Sequence, residues 1–180
     1  VYKKEMTKLI LSTILINVVI ILCALYLKNL QLLFLTILTT IAIIYTFNKD
    51  YDKRIKEYNQ NLENEFVTTL NYIQTYLTNG FNVYQSISEV LKICNKDLNK
   101  LLTNLLSNID EDKTVTPFIT FSKNFESPLI QQVMISLYLM VENGTDINYI
   151  SRFTPLFTQL KKDNEQKIVK NINSKYDSLN

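Results

Sequence analysis

The stretch LILSTILINVVIILCALYLKNLQLLFLTILTTIAIIYTF, Leu9 to Phe47, decides how the rest of the chain is read. Lys8 is the last charge before it, Lys28 falls inside it, and Lys49 is the next charge after it. Each half offers about 19 uncharged residues, which as helix rise about 28 Å, close to the hydrocarbon core of a bilayer. Leu9 to Leu27 holds about thirteen Leu, Ile and Val residues; at about −0.4 kcal/mol each, their insertion sum is near −5 kcal/mol before the opposing contributions of Ser12, Thr13 and Asn17. The pattern predicts a transmembrane helical hairpin over residues 1–48, with spans at about 9–27 and 30–47.

The flanking charges orient that hairpin. Lys3, Lys4 and Lys8 precede the first span; Lys49, Lys53, Arg54 and Lys56 follow the second; Lys28 alone lies in the turn. The positive-inside rule then places both termini in the cytoplasm of a multi-pass inner-membrane protein. A cleaved leader is disfavoured, because the apolar run is longer than a signal-peptide core and no small-x-small site follows it. Of the net charge of +2, the excess comes from the lysines around the spans. From Lys49 onward, about 15 basic side chains face about 16 acidic ones, so no basic stripe for nucleic acid is present.

Beyond the hairpin the apolar spacing is helical throughout. Ile55, Tyr58, Leu62, Phe66, Leu70, Ile73 and Leu77 form one stripe over Asp50 to Thr78, with Lys53, Lys56, Gln60, Glu63 and Asn71 on the opposite face. Asn79-Gly80 predicts a C-cap, and Asn82 with Gln85 predicts a capping box for a short helix. Leu98, Leu101, Leu102, Leu105, Leu106 and Ile109 mark another helix before the acidic loop Asp110 to Lys113. Pro117 and Pro128 each sit at a favoured first-turn position, with Phe118, Phe121 and Phe125 as anchors between them. Asp146 is the predicted cap of a last helix carrying Ile147, Ile150, Phe153, Phe157 and Leu160, which Pro155 is expected to kink or break. Ile168, Ile172 and Tyr176 continue the helical spacing after the charged run Lys161 to Lys167. With two glycines in 180 residues and no sustained alternation of period two, the region after residue 48 reads as an all-α, antiparallel helical bundle.

Catalytic chemistry has little to work with. There is no histidine, and the two cysteines, Cys23 and Cys94, are far apart, which removes the usual general base and the usual zinc ligands. Two isolated glycines do not build a phosphate loop. The pairs Glu63/Glu65 and Asp110/Asp112 read as solvated carboxylates, and the acidic loop as a solvated turn before a dock for a basic partner. Asn17 and Cys23 lie six residues apart, on nearly opposite sides of a helix, so an intramembrane enzyme is disfavoured. The expectation is no catalytic residue, no metal, no cofactor and no small-molecule substrate.

Phe66 to Lys92, FVTTLNYIQTYLTNGFNVYQSISEVLK, resembles the opening of the type II secretion system F domain, whose first hairpin follows the pattern L-x-x-G-x-s-x-x-x-A-[IL]. Leu77, Gly80 and Ile87 fall at its positions, with Ser86 where a small residue is usual. Ser127 to Leu160 resembles the second hairpin: Pro128 opens its helix, and Val141-Glu142-Asn143-Gly144 resembles its acidic, Gly-containing turn. The resemblance implies a helical extension over 49–65 and an F-like bundle over 66–180, with a further membrane span normally following in the family. It also implies an inner-membrane platform protein of a pilus or type II secretion-like machine, one that couples a hexameric secretion ATPase to the movement of pilin-like subunits. The implied partners are the membrane, that ATPase, the pilins and further copies of the chain. The alternative is a membrane-tethered helical adaptor or signalling module unrelated to secretion.

Overall fold

The computed structural model describes residues 2–26, 32–144 and 147–177. They form seven helices: α1 (Tyr2–Tyr26), α2 (Leu32–Thr78), α3 (Val83–Val90), α4 (Lys96–Glu111), α5 (Thr116–Ser122), α6 (Pro128–Asn143) and α7 (Ile147–Asp177). No strand occurs among the described residues, as the apolar spacing predicts. The chain divides into two compact units, Val1–Glu57 and Tyr58–Asn180, with the boundary inside α2.

In the first unit the sequence expectation is corrected. Among the described residues, no helix is long and apolar enough to cross a membrane. The transmembrane hairpin is therefore not supported, nor is the multi-pass inner-membrane placement that followed from it. The apolar stretches are not separate spans. The first shares α1 with the charged leader, and the second is the opening of a 47-residue helix that runs on through Lys49, Lys53, Arg54 and Lys56. Polar groups also interrupt both. Asn17 Nδ2 donates to Thr40 Oγ1 at 3.1 Å, and Thr39 Oγ1 approaches Asn17 Oδ1 at 3.3 Å, so an amide and two hydroxyls join α1 to α2. The hydroxyls of Thr39 and Thr40 also donate to the Thr36 carbonyl, at 3.0 and 2.6 Å. The predicted turn at Lys28-Asn29 lies outside the described residues.

The second unit is an antiparallel bundle built on the C-terminal half of α2. Two contacts fix the direction of α7 against it: Gln74 Nε2 donates to Thr154 Oγ1 at 3.1 Å, and Lys167 Nζ to Glu63 Oε1 at 2.7 Å. As the number rises on one helix it falls on the other. Asn59 Nδ2 donates to Glu126 Oε1 at 3.2 Å, which places the start of α6 at the same end as the start of this half of α2. The bundle therefore has a turn end, with Gly80, Gly144 and the α4–α5 loop, and an opposite end with Asn59, Asn95 and Glu126. α6 packs on α3, α5 and α7, while α4 bridges α3 and α5.

The core holds the stripe the spacing predicts from Leu62 to Leu77, together with Val67, which the stripe omitted. Ile55 and Tyr58 are exposed, so burial along α2 begins later than the periodicity suggests. Phe66 is the centre of an aromatic group, its ring 5.1 Å from that of Phe121 and 4.9 Å from that of Phe125. Val141 is exposed at the end of α6. The predicted cap Asp146 lies outside the described residues.

Pro155 does not break α7, which runs continuously from Ile147 to Asp177. A proline inside a helix costs about 3 kcal/mol through the lost hydrogen bond and the ring's clash with the preceding turn. Phe153, Phe157 and Leu160 are all buried on either side of it. At about 1.5–3 kcal/mol for each such side chain, their burial exceeds that cost. Tertiary packing thus carries the helix through the position where a break was one of the two expected outcomes. Pro155→Ala restores the missing donor without touching the core and is expected to stabilise the bundle by about 1–3 kcal/mol. Thermal denaturation checks this, since each kcal/mol shifts the midpoint by about 3–6 °C in a domain of this size.

Candidate functional site

The residues singled out by motif, Pro128 apart, fall at or beside two hairpin turns. At the first, α2 ends in a Schellman cap. The Phe81 N–H reaches back to the Tyr76 carbonyl and the Gly80 N–H to the Leu77 carbonyl, both at 3.1 Å. This pair of bonds is the six-to-one and five-to-two arrangement that satisfies helix-end carbonyls, and it needs positive φ at the glycine. Gly80 has φ +88°. The apolar contact that accompanies the motif is the Tyr76–Phe81 ring pair, with centroids 5.4 Å apart. Asn82 then caps α3: its Oδ1 accepts the Gln85 N–H at 2.8 Å, and Gln85 Oε1 accepts the Asn82 N–H at 3.1 Å. Leu77 and Ile87 are buried on the two helices that this turn joins.

The second turn is built differently. Gly144 ends α6 at φ 85° and ψ 161°, a region populated almost only by glycine. Glu142 is exposed in the last turn of α6, beside Tyr138. Pro128 opens α6, with no side-chain cap from Ser127. The fold thus brings Gly80, Glu142 and Gly144 to the turn end and leaves Pro128 at the opposite end.

Carboxylates gather at the turn end. Asp110 and Glu111 form the last turn of α4, and Asp112 caps it. Tyr84 donates its hydroxyl to Asp110 Oδ2 at 3.2 Å, and the charge of Asp110, before burial, pushes the Tyr84 phenol up from its ordinary pKa of 10.0. Burial raises the Tyr138 phenol, with Glu142 and Asp112 adding to it. The Thr114 hydroxyl and N–H hold the Asp112 carboxyl below its usual range. Lys113 approaches Asp110 at 3.8 Å, but both are exposed, and such a pair contributes little. Among the described residues, no group of three His, Cys, Asp or Glu could hold a metal ion. Cys94 is a half-buried free thiol, and burial pushes it up from its ordinary value, away from the reactive thiolate.

Spacing alone assigned Glu63 to a polar face. Its side chain is in fact 7% exposed and pairs with Lys167, which is 48% exposed. The buried face of α7 explains the difference. Phe153, Phe157, Leu160, Asn164 and Lys167 follow one another at intervals of four and three, so a single stripe passes from apolar to polar without leaving the interface. Asn164 is buried with no partner for its Oδ1, and the Asn64 Oδ1 is likewise unpaired. The signal was present in the continued spacing through a run that its charge marks as surface.

Two measurements follow from these geometries. Gly80→Ala should cost about 1–2 kcal/mol and Gly80→Asn less, because asparagine tolerates left-handed backbone. At Gly144 neither substitution should be tolerated so cheaply, since that conformation suits glycine alone. No atom lies within 4 Å of an added Cβ at either site, so denaturant midpoints read backbone strain rather than clash. Separately, Lys167→Ala leaves Glu63 buried without its cation, and should destabilise by about 1–3 kcal/mol, reduced from the fully buried case by the exposure of Lys167. The pair Glu63→Leu/Lys167→Leu should recover most of that loss in the same assay.

Compared with family models, with curated proteins and with solved structures, the chain matches none.

Proposed function

We propose that the chain is a non-catalytic assembly protein of the type II secretion system F domain kind, a helical platform that docks a hexameric secretion ATPase and couples it to the movement of pilin-like subunits. The observation that carries this reading is the pair of glycine turns. Each joins two helices of one bundle, each needs positive φ, and each falls at the sequence position on which the resemblance rests, Gly80 in the first hairpin and Gly144 in the second. A platform binds and transmits motion, and a bundle stapled at its first turn by a Schellman cap and a capping box suits that task.

Self-association belongs to the same proposal. In the first unit Leu11, Leu15, Leu22, Leu25, Phe34 and Leu38 are each more than 60% exposed. Monomers rarely leave contiguous apolar surface of more than about 300–600 Å² uncovered. Further copies of the chain cover it in this reading, giving an oligomeric platform.

Co-sedimentation of the full chain with a secretion ATPase encoded in the same gene neighbourhood tests the proposal. The expected result is a salt-sensitive complex with a dissociation constant in the micromolar range, as for transient interfaces of about 1,200 Å² or less. No complex, with only regulatory genes as neighbours, would replace this reading by that of a helical adaptor unrelated to secretion.

A further inference from the structure

We propose that the turn end of the second unit is a protein-docking face whose occupant is a partner segment presenting Lys or Arg side chains around an apolar residue. The inference rests on the assembly reading and assigns it a surface and a chemistry.

The centre of the face is aromatic and without charge. Phe81 and Tyr84 are exposed, 38% and 41%, and flank the Gly80 turn, with the Tyr76 ring tilted at 53° against that of Phe81. From Phe66 to Ser88 no side chain is charged, although Thr68, Thr75, Thr78, Asn79 and Asn82 all reach the surface. Solvation alone favours charge at such positions. Tyrosine, asparagine, threonine and glycine with charge excluded is instead the composition of recognition surfaces.

The rim is acidic, and at Asp110, Glu111 and Glu142 the helix dipole opposes that charge. Asp110 and Glu111 occupy the last turn of α4 and Glu142 the last turn of α6, with no basic residue in either turn. A negative charge at a helix C-terminus opposes the helix dipole. Three carboxylates therefore stand where the local backbone disfavours them, and Asp112 joins them at the α4 cap. Lys113 opposes them, and Arg152 lies about a turn and a half along α7. Tyr84 links rim to centre through its hydrogen bond to Asp110. The complement of this surface is an apolar side chain flanked by cations. A second copy docking by the same face would set like carboxylates against one another across a two-fold axis. Nucleic acid is repelled by the same charge.

The test uses the full chain in cells, with the photocrosslinker p-benzoyl-phenylalanine replacing Phe81 and, as an exposed control midway along α7 and away from the turn end, Lys161. Crosslinked peptides are identified by mass spectrometry. The expected product joins position 81, and not position 161, to a partner peptide bearing Lys or Arg. The triple variant Asp110→Asn/Glu111→Gln/Glu142→Gln should lower its yield about tenfold while leaving the unfolding midpoint unchanged or higher, because charges opposed to helix dipoles have been removed. A secretion ATPase as the product supports both this inference and the proposed function. Another protein with a basic segment supports the docking face and overturns the ATPase assignment. No product from position 81, a product with a second copy, a partner peptide without Lys or Arg, or a yield indifferent to the triple variant overturns the docking face. An ATPase captured from position 161 alone overturns the docking face and leaves the proposed function standing.

Discussion

The second unit depends on burying one stripe of α2, from Leu62 to Leu77. Nearly every other element is tied to that stripe or its flanks. Phe66 meets the rings of Phe121 and Phe125. Glu65 accepts the backbone N–H of Asn95 at the start of α4, Gln74 reaches Thr154, and Glu63 holds Lys167. Removing a side chain such as Phe66 from so central a position costs about 3–5 kcal/mol, a large share of the stability of a domain this size. The polar ties contribute less each, but they decide which way α7 runs and how far along α2 it lies.

Much of this bundle was legible in the sequence because its signals are local. The Asn82–Gln85 capping box, the glycine at the end of α2 and the prolines that open α5 and α6 act over three or four residues, and the structure has each of them. The α4 stripe is buried at Leu98, Leu102, Leu105, Leu106 and Ile109, as its spacing requires. What was illegible depends on partners distant in the chain. Glu63 and Lys167 are 104 residues apart, and neither reveals the other. At Pro155 the expected break does not occur, since three buried neighbours hold the helix together across it. The first unit fails for another reason: an apolar count discounts polar groups, and Asn17, Thr39 and Thr40 take up one another's hydrogen bonds between α1 and α2.

At the turn end the backbone and the side chains answer to different constraints. Its backbone is optimised, with helix-end carbonyls and amides satisfied by the Gly80 cap and by Asn82. Its side chains are not, since carboxylates stand at the wrong pole of two helices. Part of the legible pattern, the Leu77, Gly80 and Ile87 spacing, is structural: two core residues and the glycine that turns the chain between them. The aromatic and acidic groups around that turn are invisible to the pattern, because nothing in their spacing joins residues 81, 110 and 142.

The C-terminal turns of α7 reach past the packed interface. Val169, Ile172 and Tyr176 are exposed, and among the described residues no apolar core side chain follows Leu160. A few turns of helix without tertiary support are marginal in water, so the hydrogen bonds of this stretch open more readily than those of the packed core. Lys167, bonded to Glu63, is the last fastener before that stretch. The ion pair therefore does more than add a contact: it sets the border between amides that exchange with solvent through local opening and those that exchange only when the bundle opens.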